Sequence, residues 1–388
     1  MVSDQSSGEL AMRLSLKILL ALATSMVSFA SAQQRFQVDE DIRPRPFGPQ
    51  RSVNTRVEIS LQVGIAKLLE TQNEDGSWNG NTGAFYGGSY RVHQADVPHV
   101  GVTAIAGLAL LETRSFHDVQ DALDRCASYL MSVQNEFSYI IANQSRLHDH
   151  AYATEFLVRY SALRESDDAR RSARRAVELL VTAQRKDGGW GWVLFDPNTK
   201  VMATVCILQS LIEARKQGFQ VRGKAIEKAQ ARLRTCALFA DNDPKKAKTL
   251  SQEMERMVPA YSAGAKRDDL WRPVSHQPNP MINSVSAGLS ALAGQVAPQN
   301  MNRPFADHVL KLQVHESGPR DYYYYHAHFY TSDAARALGK EHWDTYWDRC
   351  GKYLAKGEFG SWRAHDIGEN YGTAMSLRVL ASAAAMKK

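Results

Sequence analysis

The sequence predicts an all-α fold, an α6/α6 toroid in which six helical hairpins form a double ring. Three observations predict it. First, a tryptophan turn recurs. Gln72-Asn-Glu-Asp-Gly76-Ser-Trp78 and Gln184-Arg-Lys-Asp-Gly188-Gly-Trp190 share the form Q-x3-G-x-W, and Lys356-Gly-Glu-Phe-Gly360-Ser-Trp362 keeps the Gly and the Trp. Second, apolar runs begin at regularly placed hydroxyls: Thr103, Thr154, Thr204, Ser286, Thr331 and Thr373, successively 51, 50, 82, 45 and 42 residues apart. A repeat of roughly 40–50 residues holds two helices and their turns. Third, no stretch of the chain reads as a run of strands.

The elements follow in order. Residues 1–32 read as a secretory signal: Arg13 and Lys17 lead an apolar run, and Ala30-Ser31-Ala32 is a small-residue cleavage site. Residues 33–54 are a polar lead with Pro44, Pro46 and Pro49. The toroid is expected over 55–388. Its first outer helix shows Val57, Leu61, Ile65, Leu68 and Leu69 at helical spacing. Segments 122–133, 173–183, 225–238, 305–314 and 343–354 repeat that role, each ahead of an anchored inner helix. The long fourth spacing needs an insertion, and the polar, proline-bearing stretch 241–280 supplies it. In the turns, Gly permits a tight reversal, Trp packs between repeats, and the Gln amide is expected to satisfy helix-end groups. Gln72, Gly76, Trp78, Gln184, Gly188, Trp190, Gly360 and Trp362 are therefore structural.

Composition narrows the function. Export permits disulfides, but Cys126, Cys206, Cys236 and Cys350 are scattered with no CxxC, as buried thiols would be. The net charge is +6. The densest basic run, Arg170-Arg171-Ser-Ala-Arg174-Arg175, follows Glu165, Asp167 and Asp168. It reads as a solvated helix face with local ion pairs, and no basic-aromatic module for nucleic acid accompanies it. No segment after the signal is apolar enough to span a membrane. The mature chain is expected in the periplasm or outside the cell.

The repeated turns, with His148-Asp-His150-Ala-Tyr-Ala-Thr154 and Asp321-Tyr-Tyr-Tyr-Tyr325, resemble the squalene cyclase and protein prenyltransferase β-subunit superfamily. Within it they look like exported bacterial prenyltransferase or squalene-oxidase repeat proteins. The resemblance covers about residues 55–385 and implies the toroid. It does not bring the family's chemistry. A cyclase of this kind resembles an acid catalyst with a D-x-D-D motif, and no D-x-D-D is present. The zinc ligands implied by the prenyltransferase branch find only Asp348, Cys350 and His365, in the wrong place. Complement-like thioester proteins need Cys-Gly-Glu-Gln, which is absent.

The mouth remains. Inner helices that run parallel gather their N-termini at one end, where anions and polar groups are favoured. The residues before each anchor are His99; His148, Asp149 and His150; Lys200; Asn283; Tyr324, His326 and His328; and Glu369 and Tyr371. Five of the twelve histidines fall there. His150, His326, His328, Glu369 and Tyr371 are the catalytic candidates. His99, His148, Asp149, Lys200, Asn283 and Tyr324 are the ligand-binding candidates. The plainer reading is a polar rim that caps helices and meets water. No cofactor is predicted, although the histidines would suit a metal. The expected function is binding of a small apolar or isoprenoid-like ligand, or of another envelope protein. The alternatives are a divergent terpenoid cyclase, the first choice if the protein is an enzyme, and a glycan-active enzyme.

Overall fold

The computed structural model describes residues 53–86, 89–239, 257–259, 324–356, 362, 364 and 366–386, all within one compact unit, Arg51–Lys388. The expected signal, the expected lead as far as residue 52, Asn283, Gly360, the inner helix expected at Ser286 and the outer helix expected over 305–314 lie outside these residues.

The inner helices are α2 (Val100–Thr113), α4 (Leu147–Arg164), α6 (Val201–Lys216), α8 (Tyr324–Leu338) and α10 (Glu369–Ala385). They are apolar nearly all round because they pack on both sides: α8 on α10, α10 on α2, α2 on α4, and α4 on α6. Their outer partners are α1 (Val53–Glu70), α3 (Gln120–Ser132), α5 (Asp167–Thr182), α7 (Ala225–Cys236) and α9 (Lys340–Arg349). A 3-10 turn, Gly351–Leu354, follows α9. Outer helices such as α5 bury one stripe only, with Ala169, Ala173, Ala176, Val177 and Leu180 inward. The described helices thus form the double layer of an α/α toroid.

The turns join each repeat to the next. The indoles of Trp78, Trp190 and Trp362 are fully buried. Trp78 and Trp190 donate Nε1–H to the ends of their own outer helices, Leu68 O at 2.7 Å and Leu180 O at 2.8 Å, and Trp362 donates to Leu354 O at 3.0 Å, at the end of the 3-10 turn after α9. The anchors hold the turns from the other side, since Thr103 and Thr204 accept from the Trp78 and Trp190 amides. The glutamine amide reaches the beginning of the following outer helix. Gln72 Nε2 donates to Ala122 O at 2.9 Å, and Gln184 Nε2 donates to Ala225 O at 2.8 Å. Gly76 and Gly188 have φ of +90° and +91°, and a Cβ there would lie 2.2 Å from Arg125 O and 2.5 Å from Lys228 O. Both conformation and space therefore demand glycine.

A fourth turn of the same build is hidden at Gln134–Ile140. Gln134 Nε2 donates to Ser138 O and to Ser172 O of α5, while Ser138 takes the left-handed conformation at φ 70°. The Ile140 amide donates to His150 Nδ1 at 3.1 Å. His150, not Thr154, therefore occupies the anchor position of α4, and the expected register is one helical turn late there.

A second departure is a β-ribbon between Trp78 and α2. Strand β1 (Asn79–Tyr86) pairs antiparallel with β2 (Ser89–Pro98), with irregularities around Thr82. The glycine- and asparagine-rich run 79–83 disguises it as a plain turn. The ribbon is fastened across the mouth. Arg146 Nη2 donates to Gly83 O at 2.7 Å, Asn143 to Pro98 O, and the Asn81 amide to Ile367 O ahead of α10. A short ladder, β3 (Ala237–Phe239) with β4 (Met257–Pro259), brackets part of the insertion.

Candidate functional site at the mouth of the toroid

Beneath the ribbon lies a cleft lined by His99 and Gly101 of α2, by Gln144, Arg146, His148, Asp149 and Tyr152 in and before α4, by His326 of α8, by Tyr371 of α10, and by Thr82 of the ribbon. About 30 Å³ is open to the centres of water-sized molecules, within about 460 Å³ of non-atom space that reaches solvent. That suits one end of a ligand, with the remainder outside.

The local fold sets each group. His99 caps α2: its Nδ1 accepts from the Gly101 and Val102 amides at 3.1 and 3.3 Å. This network assigns the ring proton to Nε2, a donor. Asp149 Oδ2 accepts from the Arg146 amide at 2.6 Å and caps α4. Its Oδ1 lies against the start of α2, where a Cβ on Gly101 would sit 2.0 Å away. Burial raises the Asp149 pKa, but the His148 and His99 rings, the Arg146 amide and the Arg146 charge outweigh it, and the carboxyl stays below its usual range. The positive end of α2 acts in the same direction.

His148 Nε2 stands 3.4 Å from Asp149 Oδ1, and the ring packs edge-on to Trp192 at 5.1 Å. Burial lowers its pKa, although the Asp149 carboxylate opposes this. Its Nδ1 is buried and has no hydrogen-bond partner among the described residues. His326 Nδ1 is joined to Tyr371 Oη by a short hydrogen bond. Burial takes the His326 pKa down to about 3.

Under the cleft the axis is filled by polar layers. Tyr152 Oη, Cys206 Sγ and Tyr330 Oη form a closed triangle, with Oη–Oη at 3.3 Å and each Oη–Sγ at 3.2 Å. Burial pushes the Cys206 thiol up to about 11. One turn deeper, Arg378 contacts Glu112 at 3.1 Å and Glu155 at 3.2 Å, while Arg159 reaches Glu112 at 2.7 Å. Arg378 also lies 4.1 Å over the Phe329 ring. The side chains at 148, 152, 155 and 159 follow the i, i+4, i+7, i+11 stripe of one helix face. Tyr152 belongs both to the cleft lining and to the first of these layers.

Of the expected site residues, His99, His148, Asp149, His326 and Tyr371 converge on the cleft. The others do not. His150 faces outward, where Nε2 meets Ala176 O of α5 at 3.3 Å. His328 Nδ1 pairs with Tyr346 Oη of α9 at 3.0 Å, and Tyr324 packs on His328. Glu369 pairs with Lys67 at 2.5 Å, and Lys200 caps α6 through its backbone carbonyl. Arg146, Gln144, Tyr152 and Thr82 line the cleft without having been expected. Arg146 and Tyr152 carry a signal, being one turn from His150 and His148. Gln144 and Thr82 do not, because the ribbon and the loop before α4 bring them in. Among the described residues, no three His, Cys, Asp or Glu side chains are grouped to hold a metal ion.

An α/α toroid with a polar mouth is thus the class defined by fold and site. No protein-family model and no curated protein matches the sequence. Solved structures share the fold. An inactive variant of the α-1,6-mannanase GH76A of Salegentibacter sp. HEL1_6, in complex with α-1,6-mannotriose, matches with a TM-score of 0.57 at 9% identity, covering 86% of this chain and 99% of that one. An unsaturated glucuronyl hydrolase specific for heparin matches at 0.55 and 10% identity, covering 86% and 98%. A type II terpene cyclase from Scytonema, in complex with geranylgeranyl dihydroxybenzoate, matches at 0.52 and 14% identity, covering 86% and 99%. The squalene cyclase-like fold is one branch of this toroid architecture, and the glycan-active enzymes are another.

Proposed function

We propose that this protein is an exported binding protein whose toroid mouth takes the end of a small hydroxyl-bearing ligand, such as a neutral glycan. One observation carries the reading. His148 Nδ1 is buried in the cleft wall without a partner among the described residues, beside the ionised Asp149. A buried polar atom left unpaired costs about 1–3 kcal/mol, which an arriving hydroxyl can offset. His99 Nε2–H offers a donor and Asp149 an acceptor, so donors and acceptors alternate as vicinal hydroxyls require. The mannanase and the glucuronyl hydrolase with the same fold act on carbohydrate, which agrees with this ligand class.

The polar lining argues against an isoprenoid ligand. Proton-initiated cyclisation needs a protonated acid, and the cleft's carboxyl is held ionised. A glycan-active enzyme is the second reading. His148, 3.4 Å from Asp149, has the form of an oriented general base. Yet glycoside hydrolysis ordinarily employs two carboxyls, and Asp149 is the single one among the described lining residues.

Calorimetric titration of the full chain with a panel of neutral oligosaccharides, beginning with α-1,6-mannotriose, tests the proposal. Saturable binding that Asp149→Asn weakens at least about tenfold, with no shortened sugar by mass spectrometry, supports it. Binding of geranylgeraniol alone overturns it, and turnover of the sugar moves the assignment to the enzyme.

A further inference from the structure

The basic run of α5 is not a uniform solvated face. Arg171 pairs with Asp168, and Arg175 donates to the Asn135 and Glu136 carbonyls and to Ser138 Oγ, in the turn before α4. Arg170 and Arg174 point elsewhere. With Arg222 they line a groove on the outside of the toroid, between α5 and the loop joining α6 to α7. About 380 Å³ of it is open to the centres of water-sized molecules. None of these three guanidiniums forms an ion pair with a described residue, and Glu178 is the one acid lining the groove.

The groove is built by a helix ending. α6 stops in a Schellman motif: the Gly218 amide donates to Arg215 O at 3.1 Å and the Phe219 amide to Ala214 O at 2.9 Å. Gly218 has φ +79° and would meet nothing within 4 Å through a Cβ. It is glycine for its conformation alone. The motif turns Phe219 back against the core, where it is 7% exposed. Arg170 Cζ stands over that ring, 4.7 Å from the centroid. A guanidinium held over an aromatic ring is half-ordered in advance and keeps N–H groups for a ligand. Arg174, one turn on, and Arg222 across the gap supply two more forks. Val177 lines the same groove.

We infer that this groove is an oxyanion-binding site, separate from the mouth, for a ligand carrying phosphate or sulfate ester groups. Three unpaired guanidiniums in a concave site favour a compact, multiply charged oxyanion over a single carboxylate, because each fork can take two oxygens. The single acid, Glu178, opposes binding and sets a threshold that a singly charged anion meets poorly.

The test is calorimetric titration of the full chain in low-salt chloride buffer with two probes, inorganic pyrophosphate and a sulfated disaccharide. At least one probe should bind saturably, with affinity that falls as salt rises. Arg174→Ala/Arg222→Ala should weaken it at least about tenfold, with unchanged melting temperature, since both side chains are exposed. Glu178→Gln should tighten it, a gain that a misfolded variant cannot produce. Asp149→Asn at the mouth should leave it unchanged. Binding of pyrophosphate alone assigns a phosphate ester, and binding of the disaccharide alone a sulfate ester. Absence of saturable binding by both probes, or binding indifferent to the Arg174/Arg222 and Glu178 changes, overturns the inference.

Discussion

Gln134 Nε2 donates to Ser172 O of the neighbouring outer helix at 3.2 Å, and Ser172 Oγ returns a bond to Gln134 Oε1 at 2.9 Å. This exchange occupies the place of Gln72 with Ala122 and of Gln184 with Ala225. The toroid is therefore stapled at Gln134 as firmly as at the turns that keep their tryptophan. Gln134→Ala and Gln184→Ala should each cost about 1–3 kcal/mol, because each strands a part-buried carbonyl and the turn it held. Urea unfolding of both variants checks this, and a silent Gln134→Ala would remove the fourth staple.

Gly101 makes room for Asp149. Gly101→Ala should push the carboxylate from the start of α2 while leaving the helix intact, since alanine is the better helix former. The Asp149 pKa should rise toward its ordinary value, by carboxyl NMR, and ligand affinity at the mouth should fall. Unchanged Asp149 titration would show that the carboxylate owes nothing to that position.

Acid should loosen the fold before it reaches the usual carboxylate range. Burial holds His150 down to about 4 and His326 to about 3, below the ordinary value of 6.5. Between those values the unfolded chain takes up more protons than the folded one. Stability is then full above pH 6.5 and falls toward pH 4, by roughly 1.4 kcal/mol per unit for each histidine. Glu112, whose pKa burial raises but Arg378 and Arg159 bring down to about 2, adds a further loss below pH 4.5. Unfolding midpoints from pH 7.5 to 4.5 measure the slope, which His150→Gln should reduce.

Arg378 is 2% exposed and pairs with the half-buried Glu112 and the buried Glu155. Arg378→Met should destabilise the fold, by up to about 3–5 kcal/mol, because Arg159 alone then faces both Glu112 and Glu155. Adding Glu112→Gln and Glu155→Gln should recover part of the loss. Denaturant unfolding of the single and triple variants gives both numbers.

The residues made some of this legible and hid the rest for physical reasons. Trp78 and Trp190 announce their turns because glycine and a buried indole are needed there together. The turn at Gln134 stays hidden because Ser138 adopts the left-handed conformation without being glycine, and Ile140 replaces the indole. That concealment moves the anchor of α4 from His150 to Thr154 and makes His150 look like a mouth residue. The mouth was legible where a side chain precedes a correctly placed anchor, as with His99 before Thr103. The ribbon 79–98 and the Arg378 cluster were not, since one depends on pairing across a polar run and the other on partners 223 and 266 residues away in sequence.

The central claim is that His148 and Asp149 receive a hydroxyl-bearing ligand at the mouth. The most direct measurement is imidazole 15N NMR of the full chain during titration with the neutral oligosaccharide panel. The account predicts a saturable shift of the His148 Nδ1 resonance, accompanied by His99 Nε2 and abolished by Asp149→Asn. Binding that leaves both rings unmoved, or no binding across the panel, would contradict it.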